Sequence, residues 1–341
     1  MKRVIVLGGL GQFGRTAAQQ LRRFGIPVQT AGRRPAADMQ VDANDANSIR
    51  AALRAGDVVI DTAGPFHTRS TALIESAMEI GFDVIDINDD LGYAESVLAL
   101  APRITGAEIR VLSSASTVSA VAAAVVRHSG IATPRQAMSF LAPASRHTAN
   151  IGAASSLIRS VGRPLRVLRD GRLQQREGWS EKRSFAMPPP VGPICGRLFE
   201  SADALYLPRI WPSLRDVAMY VDPNTPGVDM LLRLAARWPD VRRLLEGQMR
   251  LATRFARSFG SAAGGIGYEI RDATGVTVRY AIVSERNSFI AAVAPAILAA
   301  HAIAEGRFAH HHGLVPPDCH VEPQGMFAFL QSVGMAIREV R

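Results

Sequence analysis

Lysine is almost absent: Lys2 and Lys182 are the only two in 341 residues. Chemistry that runs through a lysine Schiff base is therefore left nearly without a candidate. Cysteine is equally scarce, and Cys195 and Cys319 stand far apart with no metal-ligand spacing around either. That excludes a disulfide framework and fits a reducing compartment, so a cytoplasmic location is expected. Aromatic residues make up 6% of the chain, and no dense basic run interleaves with them as in nucleic-acid-binding segments. Apolar runs are short as well. The longest, 289–304, is interrupted by Pro295 and His301 and is shorter than the ~20 residues of a spanning helix. The apolar run at Val4–Leu7 is too short for a signal peptide and breaks into glycines. Neither a membrane nor a nucleic acid is expected as a partner.

What the chain has in excess is arginine, which gives a formal net charge of +9. The pairs Arg22-Arg23, Arg33-Arg34 and Arg242-Arg243 lie in three separate segments and read mainly as a solvated basic surface. With 48% hydrophobic and 20% charged residues the composition is that of a globular protein with a sizeable core. The length suggests two domains.

The first third alternates short apolar runs with helical stretches. Val4–Leu7, Val28–Ala31, Val58–Asp61, Val84–Ile87 and Arg110–Leu112 read as strands. Gln12–Phe24, Ala46–Leu53 and Ser70–Ile80 read as helices, the last closed by Gly81. Strands alternating with helices predict an α/β protein with a doubly wound parallel sheet over residues 1–119. After that the rhythm changes. A buried helix at Val118–Val126, a strand at Ala137–Leu141 and a helix at Asn150–Val161 are followed by a hairpin around Asp170-Gly171. A proline-rich loop, Met187–Pro193, comes next, and a second hairpin joins Gly267–Arg271 to Val276–Val283. Helices are predicted at Val228–Arg237, Val241–Arg257 and Ser288–Glu305. Residues 120–286 are thus expected to form an α+β domain with a mixed sheet, and 287–341 a helical C-terminal segment.

Gly9-Leu10-Gly11-Gln12-Phe13-Gly14 is a GxGxxG that an apolar strand enters and an amphipathic helix leaves, the context that makes this motif a dinucleotide fingerprint. Gly9 is read as the tight turn, Gly11 as the close approach to a pyrophosphate and Gly14 as the contact of helix with strand. The N-terminal domain is on this basis a Rossmann domain. The second strand ends in Ala31-Gly32-Arg33-Arg34, with no acid until Asp38. An acid at that strand end grips the ribose 2′-hydroxyl of NAD, whereas two guanidiniums suit the 2′-phosphate of NADP. NADP is therefore preferred over NAD, which stays possible. Asp42 is either an acceptor on the adenine side or a cap of the following helix. Ala63-Gly64-Pro65-Phe66 follows the third strand, where a loop faces the ligand crevice.

These features, with Ala31-Gly32-Arg33 and the acidic Asp86-Ile87-Asn88-Asp89-Asp90, resemble the saccharopine dehydrogenase-like NAD(P)-binding proteins. The likeness continues more faintly through Gly162-Arg163-Pro164, Asp170-Gly171, Gly178-Trp179 and the proline-rich loop. The resemblance implies a Rossmann domain, a mixed-sheet domain for substrate and homodimer contacts, and a C-terminal segment that returns toward the first. It implies a cofactor role for Gly9, Gly11, Gly14, Arg33, Gly64, Pro65 and Phe66. It also implies an oxidoreductase that reduces an imine or carbonyl of a small carboxylate-bearing metabolite. The alternatives are an NADPH-dependent enoyl reductase acting on an apolar substrate, or a non-catalytic NADP-binding protein. One departure is Ser113-Ser114-Ala115-Ser116-Thr117-Val118-Ser119, which stands where many relatives carry Pro-Gly. Ser114, Ser116 and Thr117 are either substrate-carboxylate ligands or simple caps.

Hydride transfer needs a positioned proton donor. His147 beside Arg146, the latter a candidate for a substrate carboxylate, is the first choice. His67 is the second, and Asp89 with Tyr93 the third. His310-His311-His312 lacks acidic or cysteine partners nearby and reads as a basic helix C-terminus rather than a metal site. No metal is expected.

Overall fold

The computed structural model describes residues 2–286 and 288–340. In chain order the first elements are β1 (Val4–Leu7), α1 (Gln12–Arg23), β2 (Val28–Gly32), β3 (Met39–Gln40), α2 (Ala46–Ala52), β4 (Val58–Asp61), α3 (Ala72–Ile80), β5 (Asp83–Asp86), α4 (Leu91–Ala99), α5 (Ala101–Gly106), β6 (Arg110–Leu112) and α6 (Ala120–His128). The middle of the chain forms β7 (Pro134–Ala142), α7 (Ser145–Thr148), α8 (Ile151–Ser160), β8 (Pro164–Arg169), β9 (Arg172–Glu177), β10 (Lys182–Phe185), β11 (Ile194–Phe199), α9 (Asp203–Ile210) and β12 (Asp216–Val221). Three successive helices follow, α10 (Val228–Arg237), α11 (Pro239–Gly247) and α12 (Met249–Phe259). The chain ends with β13 (Gly264–Asp272), β14 (Thr277–Ser284), α13 (Ala294–Ala304), β15 (Gly313–Leu314), α14 (Pro323–Ser332) and β16 (Ala336–Glu339).

The chain divides into two compact units. Met1–Ala124 and Ile290–Met326 make the first, Val125–Phe289 and Phe327–Arg341 the second. The first holds a 7-stranded sheet of order β15-β6-β5-β4-β1-β2-β3, every pairing parallel. From β3 to β6 this is the usual doubly wound order. The strands bury both faces, and Val4–Leu7, Val58–Asp61 and Asp83–Asp86 are wholly buried, as continuous apolar runs in a parallel sheet demand. Ile5, Leu7, Ile49, Leu73, Phe82 and Val111 belong to its core.

The second unit carries a 9-stranded sheet of order β10-β11-β12-β7-β13-β14-β16, with β8 joined to β12 and β9 to β8. Only β12 and β7 run parallel, so the sheet is mixed. Met138, Phe140, Leu198 and Tyr220 form part of its core. The predicted hairpin around Asp170-Gly171 is present, both turn residues having positive φ (50° and 78°).

The structure departs from the sequence reading in several places. The helix predicted at Val241–Arg257 is two helices that part at Gly247 and Gln248, where glycine weakens helix continuity. The helix predicted from Ser288 begins as a 3-10 turn, Ser288–Ala292. Regular α-helix starts only at Ala294, with Pro295 in the first turn, where its missing N–H costs nothing. The tail expected to be helical also carries strands: β15 adds an edge to the first sheet and β16 pairs with β14 in the second. His310–His312 lie in the loop past the end of α13 at Ala304, not at a helix C-terminus. Among the described residues no helix is long and apolar enough to cross a membrane.

Candidate dinucleotide-binding site

The chain leaves β1 through Gly8–Gly11. Gly8 has φ +75°, a conformation that costs little only without a Cβ, and a Cβ there would sit 2.8 Å from the Thr62 carbonyl carbon. The turn role that motif spacing assigns to Gly9 therefore belongs to Gly8. Gly9 is held to glycine by packing instead, since its Cβ would lie 2.6 Å from the Thr30 Cβ. At Gly14 the Cβ would lie 2.4 Å from the Gly8 carbonyl oxygen, so α1 meets the turn at backbone distance. Gly11 is exposed at the start of α1, its N–H donating to the Gly8 carbonyl at 2.8 Å. No side chain caps this helix, and Leu10, Gln12 and Phe13 are half-buried around its uncapped end. An uncapped N-terminus with glycines before it has the polarity and the room that a phosphate needs.

The neighbouring strand ends are tied to this turn by backbone bonds. The Gly8 and Gly9 N–H groups donate to the Ala31 carbonyl at 2.8 and 3.3 Å. Beyond Gly32, Arg33 and Arg34 are exposed. Asp38, the acid nearest in sequence, has its carboxylate occupied. It accepts from the Thr30 N–H and the Thr30 Oγ1, both at 2.8 Å, bonds that hold its pKa below the usual carboxylate value. Asp42 accepts from the Asn44 N–H at 3.0 Å. The cap of α2 is Asp45, which accepts from Asn47 N–H, so the capping alternative for Asp42 is set aside.

After β4, Thr62 donates through both N–H and Oγ1 to the Leu7 carbonyl, at 2.9 and 2.7 Å. The Ala63–Phe66 loop is fixed from beneath by a buried ion pair. Arg69 reaches Asp61 at 2.7 Å, the side chains being 4% and 0% exposed, and also donates to the Ala63 carbonyl at 2.9 Å. Burial opposes the Arg69 charge, but the Asp61 carboxylate outweighs it and raises the guanidinium pKa. The Phe66 ring packs at 5.3 Å against Tyr93, and the Arg69 guanidinium lies 5.9 Å from the Phe66 ring centroid.

Asp86 ends β5 fully buried. Its Oδ1 accepts from the N–H groups of Asn88 and Ser114 at 3.0 and 2.8 Å and from Ser113 Oγ at 3.2 Å. Its Oδ2 has no hydrogen-bond partner among the described residues. Burial pushes this carboxyl up to about 6 against those hydrogen bonds.

In the serine-rich segment Ser114 and Ser116 face inward. Ser114 and Ser116 are 0% and 4% exposed. Ser116 Oγ donates to the Val118 carbonyl at 3.1 Å, and Ser114 Oγ accepts from Asn88 Nδ2 at 3.4 Å. Thr117, the next residue after Ser116, is half-buried. Both serines turn inward because Ser114 adopts φ 60° and folds the segment over Asp86, whose main-chain oxygen accepts from the Ala115 N–H at 2.8 Å.

The ends of β1, β2, β4 and β5 thus lie side by side and carry Gly9–Gly14, Gly32–Arg34, Ala63–Phe66 and Asp86. No protein-family model matches the chain, and no curated protein matches it by sequence. The structure is similar to that of saccharopine dehydrogenase (L-Glu forming) from Saccharomyces cerevisiae, with a TM-score of 0.62, 14% identity and 100% of both chains covered. The chain has the saccharopine dehydrogenase fold. Weaker likenesses are to a meso-dapdh mutant from Clostridium tetani (TM-score 0.40, 12% identity, 92% of this chain and 93% of that one). Another is to the WlbA dehydrogenase from Thermus thermophilus (TM-score 0.39, 11% identity, 98% and 96%).

Within the saccharopine dehydrogenase fold, the candidates for proton transfer are distributed over both units. His67 is half-buried in the 3-10 turn Phe66–Thr68 of the first. Asp89 is exposed in the loop after β5, and the cap of α4 is its neighbour Asp90, which accepts from Tyr93 N–H at 2.9 Å. Tyr93 is only 3% exposed, packed inward against Phe66. Arg146 and His147 belong to the second unit, both exposed on α7, where Arg146 Nε donates to the Gly260 carbonyl at 3.2 Å. The Asp61–Arg69 pair and the buried Asp86 were not singled out as site residues by the sequence reading. One signal for them was there: VVID and DVID, two apolar strands of the parallel sheet, each end in aspartate.

Proposed function

We propose that this protein is an NADP(H)-dependent oxidoreductase that reduces an imine or carbonyl of a small carboxylate-bearing metabolite. The observation that carries the cofactor choice is the second strand end. Arg33 and Arg34 are exposed there and form no ion pair among the described residues, while Asp38 is engaged by Thr30. Gly8–Gly11 and the uncapped start of α1 would hold the pyrophosphate, the two arginines the 2′-phosphate, and the braced Ala63–Phe66 loop the crevice wall. The fit is supported by three glycines at which a Cβ would collide with backbone or with Thr30. Bound there, the dinucleotide supplies the hydride. The chain's own part is to orient the acceptor and deliver a proton, with His147, then His67, then Asp89 with Tyr93 as the candidates for the second task.

Replacement of Arg33 and Arg34 by Ser tests the reading. Fluorescence titration should show NADPH binding weakened by about tenfold or more, with NADH little changed. Equal loss for both cofactors would remove the arginines from the 2′-phosphate. Turnover of NADPH against pooled keto acids with amines then tests the reaction class. Binding without turnover favours the enoyl reductase or the non-catalytic alternative.

A further inference from the structure

The helices α10, α11 and α12 of the second unit turn apolar side chains to solvent. Trp238 is 51% exposed, Leu244 65%, Leu251 62% and Phe259 62%, with Met230 and Phe255 also exposed. On α12, Leu251, Phe255 and Phe259 recur every four residues and so form one stripe, the Phe255 and Phe259 rings lying 4.8 Å apart. On α10, Met230 and the half-buried Leu234 have the same spacing, and Trp238 follows at the extended C-cap of that helix. Neither stripe is the buried side of its helix, for α10 buries Leu232 and Ala235 and α12 buries Thr253.

Charge stands beside these stripes in register. Arg233, Arg237, Arg250 and Arg254 each precede a stripe residue by one position, before Leu234, Trp238, Leu251 and Phe255. One position is about 100° around a helix, so Arg233, Arg250 and Arg254 flank the same side of their stripes, while Arg237 ends α10 just before Trp238. All four are exposed. The three acids of the segment do not neutralise them. Asp229 pairs with Arg197 at 3.1 Å, Asp240 with Arg243 at 3.1 Å and Glu246 with Arg163 at 2.7 Å.

We propose that this face docks on an anionic lipid bilayer surface, lying in the headgroup plane. Amphipathic helices with aromatic and leucine residues on one side and arginines beside them bind that interface. Guanidiniums grip phosphate oxygens bidentately while their stems follow the apolar surface. A second copy of the chain is the competing occupant, and the oligomeric state in solution decides against it or for it. The expectation of no membrane partner rested on the lack of a spanning helix, and a peripheral face needs none. The proposal is independent of the dinucleotide site.

The test is co-sedimentation of the full chain with phosphatidylcholine vesicles made with and without phosphatidylglycerol. Binding is expected only with the anionic lipid, and it should fall as salt rises. Phe255→Ser with Phe259→Ser, and separately Arg250→Gln with Arg254→Gln, should each weaken it by roughly tenfold. Because these side chains are exposed, the melting temperature and NADPH affinity should not move. Brominated lipid should quench Trp238, an effect lost in Trp238→Phe while that variant still sediments. No sedimentation with anionic vesicles, or equal sedimentation with neutral ones, overturns the proposal. So does a concentration-dependent dimer in light scattering that the phenylalanine variant abolishes while vesicle binding is absent.

Discussion

Arg69 and Asp61 meet at 2.7 Å inside the first unit, and the same guanidinium donates to the Ala63 carbonyl. The strand that ends in Asp61 is thereby joined to the loop that follows it. Removing the cation alone strands a carboxylate in a dry site. Arg69→Met is expected to lower unfolding free energy by about 3–5 kcal/mol. Arg69→Met with Asp61→Asn should recover part of that loss. Urea denaturation of the two variants decides this, and equal destabilisation in both would mean that the charge pair is not what holds the loop.

Gly14→Ala places a methyl 2.4 Å from a backbone oxygen, which no side-chain rotation relieves. NADPH affinity is expected to fall by about tenfold or more, since the shift displaces the start of α1 from the turn. Gly25→Ala is not an equivalent control because Gly25 has φ +77°. Gly106→Ala is one, with nothing near its Cβ, and should leave affinity unchanged in the same titration.

Asp86 gives the fold a pH signature. Its carboxyl titrates at about 6 when buried, against 3.8 for the ordinary group. Between those values the folded state binds more protons than the unfolded chain, so stability falls as pH rises through the window, by about 3 kcal/mol in all. Asp86→Asn keeps an acceptor for Ser113, Ser114 and Asn88 and cannot ionise. Its advantage over the parent should grow from pH 4 to pH 7 in urea midpoints, and a pH-independent difference would show that Asp86 is charged throughout.

His320 works in the opposite sense. It is 1% exposed, its Nε2 bonds the Val315 carbonyl at 3.0 Å, and Nδ1 has no partner among the described residues. Burial lowers its pKa to about 4 from 6.5. Here the unfolded chain binds the extra proton, so stability is lost as pH falls from 6.5 toward 4, by about 3 kcal/mol. His320→Gln retains a donor for Val315 and should flatten the acid limb of the stability curve. An unchanged limb would place the acid sensitivity elsewhere.

The parallel sheet was legible because fully buried strands must be continuous apolar runs, and Val4–Leu7 and Val58–Asp61 are such runs. Strands at sheet edges carry a weaker signal. Met39–Gln40 and Gly313–Leu314 are two residues each and exist only because a neighbour's backbone offers bonds. The glycine motif located the turn, but which glycine makes it depends on φ, and Gly8 rather than Gly9 is the left-handed one. Ser114 and Ser116 illustrate the other limit. Hydroxyls in a polar run look available, whereas the backbone folds them onto Asn88 and Val118. The Asp61–Arg69 pair spans a loop whose course sequence spacing does not reveal.

The first unit's chain is interrupted. Residues 125–289 are made between its two parts, and β15 cannot pair with β6 until Gly313 has been added. At about 5–20 residues per second on the ribosome, that is a delay of roughly ten to forty seconds. During synthesis β6 is a bare strand edge, and the surface that α13 covers on α1 and β4 is open to water. A nascent chain of this protein is therefore most exposed to aggregation and to chaperones late in its synthesis, after the nucleotide motif has long emerged. Truncations before residue 294, which lack both α13 and β15, should be insoluble on expression even though every glycine of that motif is in place.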